Sequence, residues 1–277
     1  MGFRLLWKVA FAASLLAGPA LAGCLNVKAP CKVANGSYHI RLPAERRHDM
    51  PIVLFLHGYG SNGNAMVRNK RIAGPILARG YAFIAPNGLK RKGGRATSWN
   101  FHPKINQGRN EVAFLSEVIN DAAKKYGLDR SHILLVGFSI GGSMVSYIAC
   151  NNPGQFTAFA PVSGSFWKPR PTTCKAPVKL FHTHGWKDNV VPLEGRGFNS
   201  EFIQGDVFDA LQLWRKTNLC SQQQPDKIFT TGIYMRRIWQ SCDPDSALQF
   251  ALFPGGHKVP KGWANMVLNW YEGLPGN

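Results

Sequence analysis

Five residues, Gly137-Phe138-Ser139-Ile140-Gly141, combine a nucleophilic hydroxyl with glycines spaced to let it stand on a very tight turn. They follow the apolar run Ile133-Leu134-Leu135-Val136 and precede small and apolar residues that end near Cys150. A strand, a turn and a helix are therefore predicted in that order. In such a turn a Cβ at Gly137 or Gly141 would collide with the neighbouring strand or helix. The strained backbone pushes the Ser139 hydroxyl out of the sheet edge. It also leaves the Ile140 amide at a helix N-terminus, where an unpaired N–H can meet a developing oxyanion.

A serine of this kind needs a base and an acid, and with a strand-turn-helix elbow the chain order is serine, acid, histidine. Asp188, in His184-Gly185-Trp186-Lys187-Asp188-Asn189, directly follows a strand-like run. Asp206 and Asp209 fall in a predicted helix, and Asp243 and Asp245 in a turn beside Cys242, which makes them weaker acids for the role. His257 alone among the eight histidines follows Asp188, and it stands after two glycines in Pro254-Gly255-Gly256-His257. A second oxyanion donor is expected at the Tyr59 amide, in His57-Gly58-Tyr59-Gly60 after the apolar run Pro51-Ile52-Val53-Leu54-Phe55-Leu56. His182 and His184 are expected to point to opposite faces of a strand and so to be poor co-ligands. With no C-x-x-C and no zinc-spaced pair, no metal is expected.

These groups need a scaffold. Strands are predicted over 36–43, 51–56, 81–85, 157–162, 178–182, 227–231, 233–241 and 248–253, and helices over 65–79, 110–126, 206–217 and 262–272. Alternating strands and helices imply an α/β chain with a doubly wound, mostly parallel sheet and helices on both faces. A long irregular loop over 86–109 leaves a strand's C-terminal edge and should border the site. It carries Lys90, Arg91, Lys92, Arg95, Lys104 and Arg109 around Trp99 and Phe101, a composition that suits an acidic carbohydrate or a carboxylate. Trp99, Trp186 and Trp263 are candidates to line a site for a flat acyl group.

The chain has 277 residues, 45% of them apolar, enough to bury a large core in one domain over 23–277. Residues 1–22 have the form of a secretory signal: Arg4 and Lys8, an apolar run from Val9 to Leu16, then Ala20-Leu21-Ala22. Export to a secreted or periplasmic location follows, with no transmembrane segment. Six cysteines allow 15 pairings; closing the shortest loops joins Cys24 to Cys31, Cys150 to Cys174 and Cys220 to Cys242. Leu21-Ala22-Gly23-Cys24 also fits a lipobox, in which Cys24 would be acylated and one thiol left over. The formal net charge of +18 suits anionic partners, but no nucleic-acid-binding motif is present, and a cationic solubilising surface accounts for it.

Together these residues resemble an exported esterase family of the α/β-hydrolase fold that contains polyhydroxybutyrate depolymerases and feruloyl esterases. The resemblance runs from about Tyr38 to Tyr271. It rests on His57-Gly58-Tyr59-Gly60, Ser98-Trp99-Asn100, Asp129-Arg130-Ser131-His132-Ile133, Ala160-Pro161-Val162-Ser163-Gly164, Val190-Val191-Pro192, and Gly255-Gly256-His257 with Pro260. It implies Ser139, Asp188 and His257 as a triad working without cofactor through an acyl-enzyme. Ile140, where a small or polar residue is usual, and Lys258-Val259, where Thr-Trp is usual, depart from the pattern beside the acyl pocket. The expected substrate is a soluble ester, small or oligomeric, of the hydroxycinnamoyl type found on plant polysaccharides. Hydroxybutyrate oligomers are the alternative, and a linked polyester-adsorption domain is not expected. A serine peptidase and a non-catalytic basic binding protein are the readings from other classes.

Overall fold

A computed structural model describes residues 24–25, 29–91, 93–105, 108–198 and 201–275. The predicted signal segment and Lys92 lie outside the described residues.

Apolar runs without polar alternation must be covered on both faces, and here they form the middle of a ten-stranded sheet. The chain enters through β1 (Cys31–Val33), β2 (Gly36–Arg41) and β3 (Met50–Leu56). Two helices follow where one was predicted, α1 (Gly63–Arg68) and α2 (Lys70–Ala78). The break lies at Asn69, whose backbone amide closes α1 on Met66 O while its side chain accepts from Arg71 N to start α2. Next come β4 (Ala82–Pro86), a small ribbon of β5 (Leu89–Lys90) and β6 (Thr97–Ser98), and α3 (Glu111–Tyr126), capped by Asn110. The second half holds β7 (Leu128–Phe138), α4 (Ile140–Asn151), β8 (Ala158–Val162), β9 (Lys179–Gly185) and a second small ribbon, β10 (Arg196–Gly197) with β11 (Ile203–Gln204). After α5 (Val207–Thr217) come β12 (Lys227–Thr231), β13 (Tyr234–Trp239), β14 (Ala247–Phe253) and α6 (Trp263–Glu272). Asp206 caps α5 from outside the helix rather than lying within it.

The strand order is β1-β2-β4-β3-β7-β8-β9-β14-β13-β12. The six central strands from β4 to β14 pair in parallel, and the two strands beyond each end pair antiparallel. Side chains two apart share a sheet face, so Val53 and Phe55 pack with α2 and α6 while Leu54 and Leu56 pack with α3, α4 and α5. Helices thus cover both faces, and the parallel strands deliver their C-terminal ends to one edge. Three disulfides join Cys24 to Cys31, Cys150 to Cys174 and Cys220 to Cys242. Among the described residues no helix is long and apolar enough to cross a membrane.

Candidate active site

Ser139 stands between β7 and α4 with φ 59° and ψ −124°, a conformation unusual for a residue with a side chain. The turn is possible because the residues two away on either side, Gly137 and Gly141, lack side chains. A Cβ on Gly137 would lie 2.2 Å from Gly141 O, and one on Gly141 would lie 2.3 Å from Leu56 O. The Ser139 amide donates to Val162 O at 2.9 Å, which locks the turn to β8.

His257 Nε2 lies 2.8 Å from Ser139 Oγ, and His257 Nδ1 lies 2.8 Å from Asp188 Oδ2. Asp188 Oδ1 also accepts from the Val190 and Val191 amides at 3.0 and 2.8 Å. Burial alone would raise the Asp188 carboxyl, but hydrogen bonds from His257 and Val191, with the nearby imidazoles of His257 and His184, hold it below the usual carboxylate value. An ionised Asp188 fixes the proton of His257 on Nδ1 and leaves Nε2 as the acceptor facing the serine. The two loops that bring Asp188 and His257 together are tied by backbone bonds, Trp186 N to Phe253 O at 3.0 Å and Lys187 N to Gly255 O at 2.9 Å.

His182 and His184 lie on one face of β9, not on opposite faces, because residues two apart in a strand point the same way. His182 Nε2 donates to His184 Nδ1 at 3.0 Å, and His184 Nε2 donates to Val191 O at 2.8 Å. This buried pair braces the loop that carries Asp188. Burial lowers both imidazole pKa values, so both rings are neutral.

The glycine-rich turn after β3 is braced in a comparable way. His57 is fully buried; its Nδ1–H donates to Gly58 O at 2.8 Å and its Nε2 accepts from Gly88 N at 2.9 Å. Trp99 Nε1 donates to His57 O at 2.8 Å, and Gly60 N donates to Thr97 O at 2.9 Å. Among the described residues neither the Tyr59 nor the Ile140 amide donates to a protein acceptor, and Ile140 N is the first amide of α4.

Ser139, Tyr59 and Ile140 all line a cavity of about 430 Å³. Its walls are mostly apolar, built by Ile105, Trp167, Phe198, Phe202, Val190 and Val191, with Ser143 and Gln204 as polar lining and Arg91 as the cation. None of the three tryptophans expected here lines it. Trp99 is fully buried behind the Tyr59 turn, Trp263 is buried under the sheet with its indole N–H on Thr183 Oγ1 at 3.2 Å, and Trp186 is exposed beside the acid loop. Trp167 supplies the indole instead, with the Phe198 and Phe202 rings each 5.5 Å away. Its position just past β8, at the sheet edge that carries the serine, is the signal that could have found it. Of the described basic residues in the 86–109 loop only Arg91 lines the cavity. Arg109 is buried in an ion pair with Glu111 at 2.7 Å and cannot greet an external anion.

The chain is 26% identical over 218 residues to a bifunctional acetylxylan esterase/xylanase of Neocallimastix patriciarum, an alignment covering 74% of this chain and 30% of that protein. It is 29% identical over 192 residues to a probable feruloyl esterase C of Aspergillus clavatus, covering 63% of this chain and 65% of the relative. The chain thus spans less than two thirds of either relative. Among solved structures, an acetyl xylan esterase from Aspergillus awamori superposes with a TM-score of 0.68 at 18% identity, covering 86% of this chain and 94% of the other. A Bacillus cereus carboxylesterase superposes with a TM-score of 0.57 at 14% identity, covering 86% and 94%. These likenesses carry the α/β-hydrolase fold. Residues 38–207, more than half of the sequence, match the phospholipase/carboxylesterase profile, and with the sheet, elbow and loop order described above the chain belongs to that family of carboxylesterase-type hydrolases.

Proposed function

We propose that this chain is an exported serine carboxylesterase acting on soluble esters with a bulky aromatic acyl group. The observation that carries the reading is the continuous run of short contacts from Asp188 through His257 to Ser139. His257 Nε2 takes the Ser139 proton as Oγ attacks the ester carbonyl, and Asp188 stabilises the imidazolium. The Tyr59 and Ile140 amides receive the oxyanion. His257 then protonates the leaving alkoxide, and a water activated by the same imidazole releases the acid from Ser139.

The acyl preference rests on the cavity. A volume of about 430 Å³ with one indole and two phenyl walls would leave an acetyl group largely without contacts, whereas a hydroxycinnamoyl group fills such a space. Relatives described as feruloyl esterases agree with this choice. Export agrees with three disulfides, which persist in oxidising compartments. With Cys24 bonded to Cys31, its sulfur is not available for an acyl anchor, which favours the non-lipidated form.

The test is a kcat/KM panel of methyl ferulate, acetylated xylan, hydroxybutyrate oligomers and p-nitrophenyl esters with wild type and Ser139→Ala. Methyl ferulate is expected to lead, with every activity lost in a folded Ser139→Ala protein. Activity retained by that variant removes the serine mechanism, and hydroxybutyrate oligomers cleaved best move the substrate to polyesters. Labelling by a fluorophosphonate separates an esterase from a non-catalytic binder, and a blocked peptide anilide cleaved faster than any ester would make the chain a peptidase.

A further inference from the structure

We infer that Gln204 selects the acyl group by hydrogen bonding a hydroxyl carried on its aromatic ring. The inference rests on the serine-carboxylesterase reading and goes on to assign the residue that reads the substrate.

Gln204 lines the catalytic cavity yet is only 3% exposed, and its amide oxygen is buried with no protein partner. An unpaired amide facing apolar walls is costly for a folded chain, and an aliphatic side chain there would remove that cost. The backbone around it, by contrast, is fully engaged. Gln204 pairs with Arg196 across the β10–β11 ribbon and bridges to Trp167. On either side Lys168 N donates to Ile203 O at 2.8 Å and Gly205 N donates to Phe166 O at 2.7 Å. The side chain is thus held on a fixed backbone with its amide oxygen unpaired, as a group built to meet a ligand requires.

The neighbours define that ligand. Trp167 forms a bridge with Gln204 through the backbone and presents its indole to the same cavity, 5.5 Å from both the Phe198 and Phe202 rings. Aromatic walls favour a flat ring in offset or edge contact. An amide oxygen beside that ring accepts a hydrogen bond from a phenolic hydroxyl. A ring without the hydroxyl would fill the same space but leave the Gln204 oxygen unpaired, and this asymmetry is how a buried polar group discriminates between isosteric substrates. The substrate class is therefore an ester of a hydroxyaryl acid rather than of an unsubstituted aromatic or aliphatic acid.

The experiment compares kcat/KM for methyl 4-hydroxycinnamate and methyl cinnamate in wild type, Gln204→Met and Gln204→Leu, with the melting temperature of each protein. Methyl esters keep the alcohol part constant, so any difference belongs to the acyl group. The wild type is expected to favour the hydroxylated ester at least about fivefold, and the ratio should fall to about one in both variants. Their melting temperatures should match or exceed that of wild type, because an unpaired buried amide has been removed. Equal rates on the two esters in wild type, or a preference that survives both substitutions, would overturn the proposal. Cleavage of both esters by Ser139→Ala would instead overturn the underlying serine mechanism, so the two failures are told apart.

Discussion

Asp188 and His257 stand 69 residues apart in the chain, yet His257 Nδ1 lies 2.8 Å from Asp188 Oδ2, and the loops that carry them are bonded to each other through Lys187 N and Gly255 O. The two side chains therefore form one preassembled unit in front of the elbow. Replacing the carboxylate by an amide in Asp188→Asn preserves shape and the acceptor for the Val190 and Val191 amides, but it removes the charge that keeps the His257 proton on Nδ1. A fall in kcat of about 10⁴ is expected, with little change in thermal stability. Steady-state kinetics beside a melting curve check this, and a loss below about tenfold would show that Asp188 is not the acid.

Trp99 and Trp167 separate the two ways an indole can serve this site. Trp99 never reaches the cavity; its N–H holds His57 O and through it the turn bearing the Tyr59 amide. Trp99→Phe is expected to lower kcat by about tenfold for methyl ferulate and p-nitrophenyl acetate alike, because oxyanion geometry is shared by all esters. Trp167→Ala should raise KM for methyl ferulate several-fold more than for p-nitrophenyl acetate, since only the larger acyl group touches that wall. A Trp99→Phe defect confined to ferulate would return Trp99 to the acyl pocket.

The elbow turn, the approach of Asp188 and His257 to Ser139 and the alternation of strands with helices are legible in the sequence, because each depends on local chemistry: glycines where a Cβ has no room, apolar runs where both sheet faces are covered. The apolar wall of the cavity is not legible in that way. Trp167, Phe198, Phe202 and Gln204 come from segments with little regular structure, brought together by the small β10–β11 ribbon and a backbone bridge. Nothing in their spacing announces this. Tryptophans in the 86–109 loop and a few residues from Asp188 and His257 drew the expectation instead, and two of them, Trp99 and Trp263, proved to be packing residues. The helix expected over 65–79 divides at Asn69 because one side chain caps a second helix as its backbone closes the first, an event that apolar periodicity does not register.

Four buried histidines set the response to acid. Burial pushes His57 down to about 4 and lowers His102, His182 and His184 as well. Below their unfolded pKa, near 6.5, the unfolded chain binds protons that the folded chain refuses, so their stabilisation is full above about pH 6.5 and is lost as pH falls, for His57 down to about pH 4. Asp188, also depressed, yields its share only below the usual carboxylate range. The melting temperature should drop steeply between pH 6.5 and 4, and less steeply in His57→Gln, which stays neutral throughout. Identical slopes for the two proteins would show that His57 does not titrate in this way.

Arg109 and Glu111 form the only ion pair with both side chains essentially buried among the described residues that involves an arginine or lysine. The Arg109 guanidinium also donates to Asn35 O and Asn87 O, while Glu111 accepts from Asn100 N, so the pair fastens both ends of the 86–110 loop to α3 and the β1–β2 turn. Burial raises the Glu111 carboxyl, and Arg109 opposes the rise. Removing one partner leaves the other charged and buried. Arg109→Met or Glu111→Leu alone should each cost about 3–5 kcal/mol in denaturant unfolding. The double variant leaves no orphaned charge and should recover more than half of that loss. Because Asn87 and Gly88 belong to the same loop and Gly88 N holds His57, the single variants should also lower kcat, with KM changed less. Additive losses in the double variant would mean that the two groups act independently and that the loop is anchored by other contacts.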